Sequence, residues 1–419
     1  MAGLVGAWLV GRGVPVLAGT PPLLARWLPH AGPGSGPAVL VVAAVVLRGP
    51  ELAERLGWRP LLAAGYLTSV AWTLSLALVD GWRRGVADRL TTPTEYLHEV
   101  PRITDLPAML RTFTDGILSF QPHSWTTHVA GHPPGALLVF VVLDRLGLSG
   151  GGPAGLLCIL VGASGGVAVA VTLRALGAER AARTALLFAV LFPGAVWVGV
   201  SADGLFAGVL AWGVALLALG TTSPGPRADL TALSGGVLLG FSGYLSYGLA
   251  LGALLPVAVG LVTQRMRPML LAAIGAGMVV AAFTVSGFWW LEGYQLVRIR
   301  YYQPGEWGAL RPYGYWVWAN LAALAVAIGP ATVAGLRRFA GAAPQAPRAV
   351  GLLVAAAAVA MLTADLSGLS KGEVERIWLP FAVWLGASCA VLPARGMRFW
   401  LAGQALVALA VNHLLLTTW

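Results

Sequence analysis

Charge is scarce in this chain of 419 residues: Asp, Glu, Lys and Arg make up 11% of it, against roughly a quarter in soluble proteins. With 58% of residues hydrophobic and a mean hydropathy of +0.77, a soluble globular protein is excluded. Cysteine is nearly absent. Cys158 and Cys389 both lie inside apolar segments, which supports neither a disulfide framework nor a thiolate metal site. Lysine is rarer still, Lys371 being the only one beside 26 arginines. Those arginines occupy short loops and form no basic tract, so the net charge of +10 reads as membrane topology, with anionic lipid and not nucleic acid as the partner. The chain has no phosphate-cradling P-loop, no dinucleotide fingerprint and no Gly-x-Ser-x-Gly, which argues against a nucleotide-sugar donor on a Rossmann domain. Internal repeats, low-complexity tracts and a soluble domain are also missing. The apolar N-terminus, with Arg12 inside it, has no clear small-residue cleavage site and reads as a loosely defined first segment of the mature chain.

What the chain does have is apolar runs. About 20 such residues cross a bilayer, and the runs suffice for roughly 12 transmembrane helices. The candidate spans are roughly 36–47, 60–79, 154–173, 185–200, 204–220, 229–243, 248–263, 269–290, 316–336, 349–366, 377–394 and 399–417. Arginines at 48, 55 and 59, at 174, 180 and 183, at 227, at 265 and 267, at 337, 338 and 348, and at 395 and 398 fall in alternate loops, which should therefore be cytoplasmic. The apolar run 133–148 breaks this alternation if counted as a span. It is read as a helix at the outer surface, which makes 81–153 one long extracytoplasmic loop with amphipathic pieces. Further extracytoplasmic loops cover 291–315 and 367–376. The expectation is a single all-α, multi-pass domain over 1–419 in the cell membrane. The stretch His30–Pro37 reads as a plain turn.

Ionisable residues are costly near lipid, so those that persist at helix ends on one face are functional candidates. Asp80 ends the apolar run 66–79 and opens the long loop as Asp-Gly-Trp, where a fixed carboxylate suits a general base for a sugar hydroxyl. A helix-ending Asp-Gly turn is the competing reading. The loop then supplies Glu95, His98, Glu99, Asp105 and Asp115, followed by His123, His128 and His132. This loose set leaves open a divalent cation, magnesium or manganese, as cofactor. The Pro133-Pro134 step sets a helix start and holds His132 at its entry, to bond a phosphate or sugar oxygen or simply to cap the helix. Asp203, in Ser-Ala-Asp-Gly, stands either as a ligand or as a cap. Arg298, Arg300, Lys371 and Arg376 run against the positive-inside bias and fit an outward phosphate, with salt bridges to Glu373 and Glu375 as the alternative. The aromatic residues around 288–318 suit an interfacial belt and stacking on sugar rings.

The pattern resembles the GT-C superfamily of membrane glycosyltransferases. The resemblance rests on Asp80-Gly81 at the start of a long first external loop, His132-Pro133-Pro134-Gly135 near its end, Asp203 after the next helix pair and a late basic loop. More narrowly, the chain is similar to actinobacterial membrane proteins with Glu95-Tyr-Leu, His-Val-Ala-Gly-His-Pro-Pro-Gly and Ser-Lys-Gly-Glu-Val-Glu-Arg-Ile-Trp-Leu-Pro-Phe. The resemblance implies transfer of a monosaccharide, mannose or arabinofuranose first, from a polyprenyl-phosphate carrier to an extracytoplasmic glycan or glycolipid. It implies Asp80 as catalytic base, Glu95, His128, His132 and Asp203 near the acceptor or a metal, and Arg298, Arg300, Lys371 and Arg376 near the donor phosphate. Gly81 and Gly135 depart from the Asp-Glu and His-Pro-Pro-Leu of protein mannosyltransferases. A lipid-linked oligosaccharide ligase or polymerase shares the outward phosphate site. A transporter or flippase should instead place ionisable groups near the midplane.

Overall fold

Without water to bond their backbone, long apolar runs must close every N–H and C=O within a helix. The computed structural model, which describes residues 1–342 and 346–418, shows this outcome. A short helix α1 (Ala2–Gly11) and strand β1 (Ala25–Trp27) precede α2 (Ser35–Arg55) and α3 (Trp58–Ala77). The loop 81–153 follows as a series of short turns ending in α4 (Pro134–Arg145). Next come α5 (Gly151–Ala163), α6 (Gly165–Ala175), α7 (Glu179–Val190), α8 (Ala202–Gly220), α9 (Pro226–Leu245), α10 (Leu254–Thr263) and α11 (Met266–Val285). The rest comprises α12 (Trp290–Tyr301), α13 (Tyr313–Ala342), α14 (Arg348–Leu366), α15 (Leu379–Leu385), α16 (Met397–Leu414) and β2 (Leu415–Thr417).

Among the described residues, 7 helices are long and apolar enough to cross a membrane, α5 and α6 running on as one of them. The other predicted spans fall on helices that are shorter, broken or less apolar. Small residues let neighbours touch: a Cβ at Gly236 of α9 would stand 2.0 Å from the Ala272 carbonyl of α11. In α13, Gly329 takes a positive φ before Pro330, and Gln404 fills the break, accepting from the Ala331 amide and donating to the Ile328 carbonyl.

The two ends of the bundle differ in chemistry. At one, Arg183 donates to the carbonyls of Ala53 and Leu56, Arg174 lies over Trp58, Arg398 donates to Leu47 and Arg265 to Thr221. The arginine-bearing loops at 48–59, 174–183 and 395–398 thus meet at one end, as their alternation predicted, and Arg265 ties its own loop to the turn after α8. At the opposite, distal end β1 pairs antiparallel with β2. The beginning and end of the chain therefore lie side by side, which requires an even number of crossings between them. The helix α4 has 12 residues, about 18 Å of rise against a hydrocarbon core of about 30 Å, and cannot cross. It buries Ala136, Leu137, Phe140 and Val141.

Two expectations are corrected. The first segment is not loosely defined: Ala2, Val16 and Leu24 pack with Tyr315, Trp316 and Ala319 at the distal start of α13, and Tyr315 Oη donates to the Ala2 carbonyl. The stretch His30–Pro37 is more than a plain turn. A Cβ at Gly34 would stand 1.9 Å from the Ser75 carbonyl, so only glycine lets this segment lie against the end of α3, which brings His30 to Asp80.

Candidate active site

Asp80 closes the turn after α3, and Gly81, at φ +76°, ends the helix there. Its carboxylate is held from two sides, Oδ1 at 2.9 Å from His30 Nε2 and Oδ2 at 2.8 Å from Arg89 Nη2, with Arg84 Nε at 3.9 Å. Arg89 is buried, which lowers its pKa, with Asp80 opposing that shift.

A second station gathers around Arg376. Gly372 and Glu373, both at positive φ, reverse the chain sharply. The reversal is pinned by Asn320, whose Oδ1 accepts from the Gly372 amide and whose Nδ2 donates to Asp365 and to the Ser370 carbonyl. The following turn, Val374–Ile377, delivers Arg376 into the protein. Its guanidinium reaches Asp203 in the first turn of α8 at 2.5 Å and Glu373 at 2.9 Å, and Nη2 lies 3.3 Å from His128 Nε2. Burial works against the charge of Arg376, but Asp203, Glu373 and Glu95 outweigh it and raise the pKa. An arginine only donates, so His128 accepts through Nε2 and carries its hydrogen on Nδ1, which faces the Thr94 carbonyl at 2.9 Å and Glu95 at 3.3 Å. Arg311 continues the network from Glu373, 3.0 Å away, with its guanidinium over Trp307 and Trp316.

His132 sits where the Pro-Pro step predicted, two residues before α4, between the rings of Tyr96 and Phe206 and bonded through Nδ1 to the His128 carbonyl. Burial lowers its pKa to about 4, which keeps the ring neutral.

Of the predicted site residues, Glu95, His128, Asp203 and Arg376 come together, with His132 bonded alongside, while Asp80 has separate partners. The cations for a donor phosphate do not form one group. Lys371 Nζ donates to the carbonyls of Gly308 and Arg311, and Arg300 to those of Ile117 and Trp125, because a buried cation without such acceptors would be costly. Arg298 is exposed on α12 beside Tyr294. Sequence reasoning missed Arg89 and His30. The signal for Arg89 was an arginine cluster at 83, 84 and 89 on the face that should be poor in them. Nothing local marked His30.

Among the described residues, no group of three or more His, Cys, Asp or Glu is placed to hold a metal ion. The guanidinium of Arg376 stands among the acids and histidine that would have been its ligands, so these residues do not fit a resident cation. Beside the distal end, α9, α10, α11 and the start of α12 enclose an apolar cavity of about 570 Å³, lined by Leu239, Tyr244, Ala276, Thr284 and Trp290 among others.

No protein-family model matches the sequence, and no curated protein matches it either. Solved structures do resemble it. ArnT from Cupriavidus metallidurans bound to undecaprenyl phosphate shares 18% identity at a TM-score of 0.48, over 85% of this chain and 63% of that one. ArnT in the apo state gives 18% and 0.47, over 83% and 63%. The Archaeoglobus fulgidus oligosaccharyltransferase, in complex with zinc and sulfate, gives 13% and 0.39, over 84% and 51%. The chain thus spans less than two thirds of the length of the structures it resembles.

Proposed function

We propose that the chain is an integral membrane glycosyltransferase that moves a monosaccharide, mannose or arabinofuranose first, from a polyprenyl-phosphate carrier to a glycan or glycolipid on the extracytoplasmic side. The observation that carries this reading is the gathering of ionisable groups at the distal end. Asp80 with Arg89 and His30, and Asp203 with Arg376, Glu373 and His128, all lie away from the arginine loops. A transporter should concentrate such groups at mid-membrane. Asp203 instead opens α8 and Asp365 closes α14.

In this reading Asp80 takes the proton of the acceptor hydroxyl as its oxygen attacks the anomeric carbon. The bond from that carbon to the phosphate oxygen breaks, and its electron pair leaves on the polyprenyl phosphate. Arg298, exposed on α12, supplies positive charge for the phosphate, while Arg376 holds Asp203 and Glu373, and Arg300 and Lys371 hold the surrounding carbonyls in place. Glu95, His128, His132 and Asp203 shape the acceptor side. The test is transfer by purified protein from synthetic decaprenyl-phosphate mannose and arabinofuranose to glycolipid acceptors. Asp80→Asn should cut turnover by roughly two to four orders of magnitude while retaining donor binding. Normal turnover in that variant would remove Asp80 from the role and make Asp203 or Glu95 the next carboxylate to test.

A further inference from the structure

Residues 24–30 run as a strap across the distal end. The Leu24 amide donates to Glu375, β1 pairs with β2 in the register Ala25 to Thr417, and the amides of Leu28 and His30 donate to the carbonyls of Leu414 and His413 at 2.9 and 2.8 Å. This stitching fixes the backbone that carries His30. The imidazole Nδ1 lies 2.8 Å from the Leu28 carbonyl oxygen and Nε2 lies 2.9 Å from Asp80 Oδ1. A carbonyl oxygen only accepts, so Nδ1 bears a hydrogen. On its other side Nε2 meets a carboxylate oxygen, also an acceptor. The contact is attractive only with one further proton between Nε2 and Oδ1. The other charged groups at Asp80 are Arg89 and Arg84. His413, at the end of α16, faces Ser35 Oγ at 2.9 Å instead.

We propose that His30 is a positioning residue for Asp80 and shares the proton that Asp80 takes from the acceptor; this rests on the reading of Asp80 as the base. In the resting protein the pair holds that proton, which passes to water as the acceptor binds, so that at transfer the Nε2 lone pair faces Asp80. The acceptor O–H bond then breaks and its proton passes to the carboxylate, while the oxygen bonds to the anomeric carbon and the phosphate departs with its electron pair. The captured proton settles between Oδ1 and Nε2, which restores the resting pair at its 2.9 Å separation. The strap thereby supplies Asp80 with a second basic atom that the helix-end turn alone does not contain.

The test uses the full chain in detergent with ¹⁵N-labelled histidine. Loss of one ring's signals in His30→Gln assigns them. Asp80→Asn, which carries no acidic proton, should shift the His30 Nε2 signal to that of a bare, neutral ring nitrogen. An unchanged signal would overturn the shared proton. In the transfer assay, His30→Gln keeps an N–H donor towards Asp80 but cannot take a proton. Its kcat should fall at least about tenfold with the donor KM unchanged, and His30→Ala should be no better. Wild-type kcat in His30→Gln would overturn the proposal. A wild-type chain inert towards every donor would sink the base reading, and the nitrogen signals would still decide the pairing.

Discussion

Arg376→Ala strands a buried charge, and its cost can be worked from the structure. The arginine side chain is 6% exposed, and its partners Asp203 and Glu373 are 4% and 13% exposed. Glu373 keeps Arg311 at 3.0 Å when Arg376 is removed. Asp203 loses the guanidinium in the first turn of α8, where water has little access. Removing one partner of such a pair costs about 3–5 kcal/mol, most of it the penalty of the charge left behind. Asp203→Asn in the same chain removes that charge, so the double variant should recover part of the loss. The double-mutant cycle should give a coupling of about 2 kcal/mol or more, against about 0.5 kcal/mol for independent sites. Unfolding by SDS titration in micelles, followed by tryptophan fluorescence, reads all four proteins. A single variant within about 1 kcal/mol of wild type, or losses that simply add, would refute a buried ion pair at this position.

The remaining expectations concern protons and topology. Glu375 is 1% exposed, and burial, aided by Glu373, pushes its carboxyl from the ordinary 4.5 up to about 7. Its contribution to stability is full below 4.5 and is lost as pH rises through about 7, so Glu375→Gln should gain in Tm over wild type from pH 5 to pH 8. Parallel Tm curves would contradict this. His132 shows the opposite sign: burial lowers it from 6.5 to about 4, so its contribution is full above 6.5 and is lost as pH falls towards 4. His132→Gln should flatten the stability slope in that window, and an unchanged slope would show a solvated ring. Cysteines placed at Ser149 and Ser367, both exposed, should react with an impermeant thiol reagent from outside intact cells, and one at exposed Ser223 only after permeabilisation. The buried native cysteines should give little background. Labelling of Ser149 only from the cytoplasm would invert the topology.

Membrane residence, the alternation of arginine loops and the shortness of α4 were legible in the sequence, because each depends on a local run of one kind of residue. Hydrophobic length and loop charge are one-dimensional quantities. The candidate status of Asp80, Asp203 and Arg376 was equally local, since each stands at the end of an apolar segment where an ionisable group is costly. Partnership was not. Arg376 and Asp203 are 173 positions apart, and His30 and Asp80 are 50 apart. The left-handed turn at Gly372 and Glu373, and the close approach of Gly34 to the end of α3, determine which of the basic and acidic side chains meet. Lys371 and Arg300 have the composition of phosphate ligands, yet the fold turns them onto carbonyl oxygens. A buried cation binds whichever acceptors packing brings within about 3 Å, and only the tertiary structure specifies which those are.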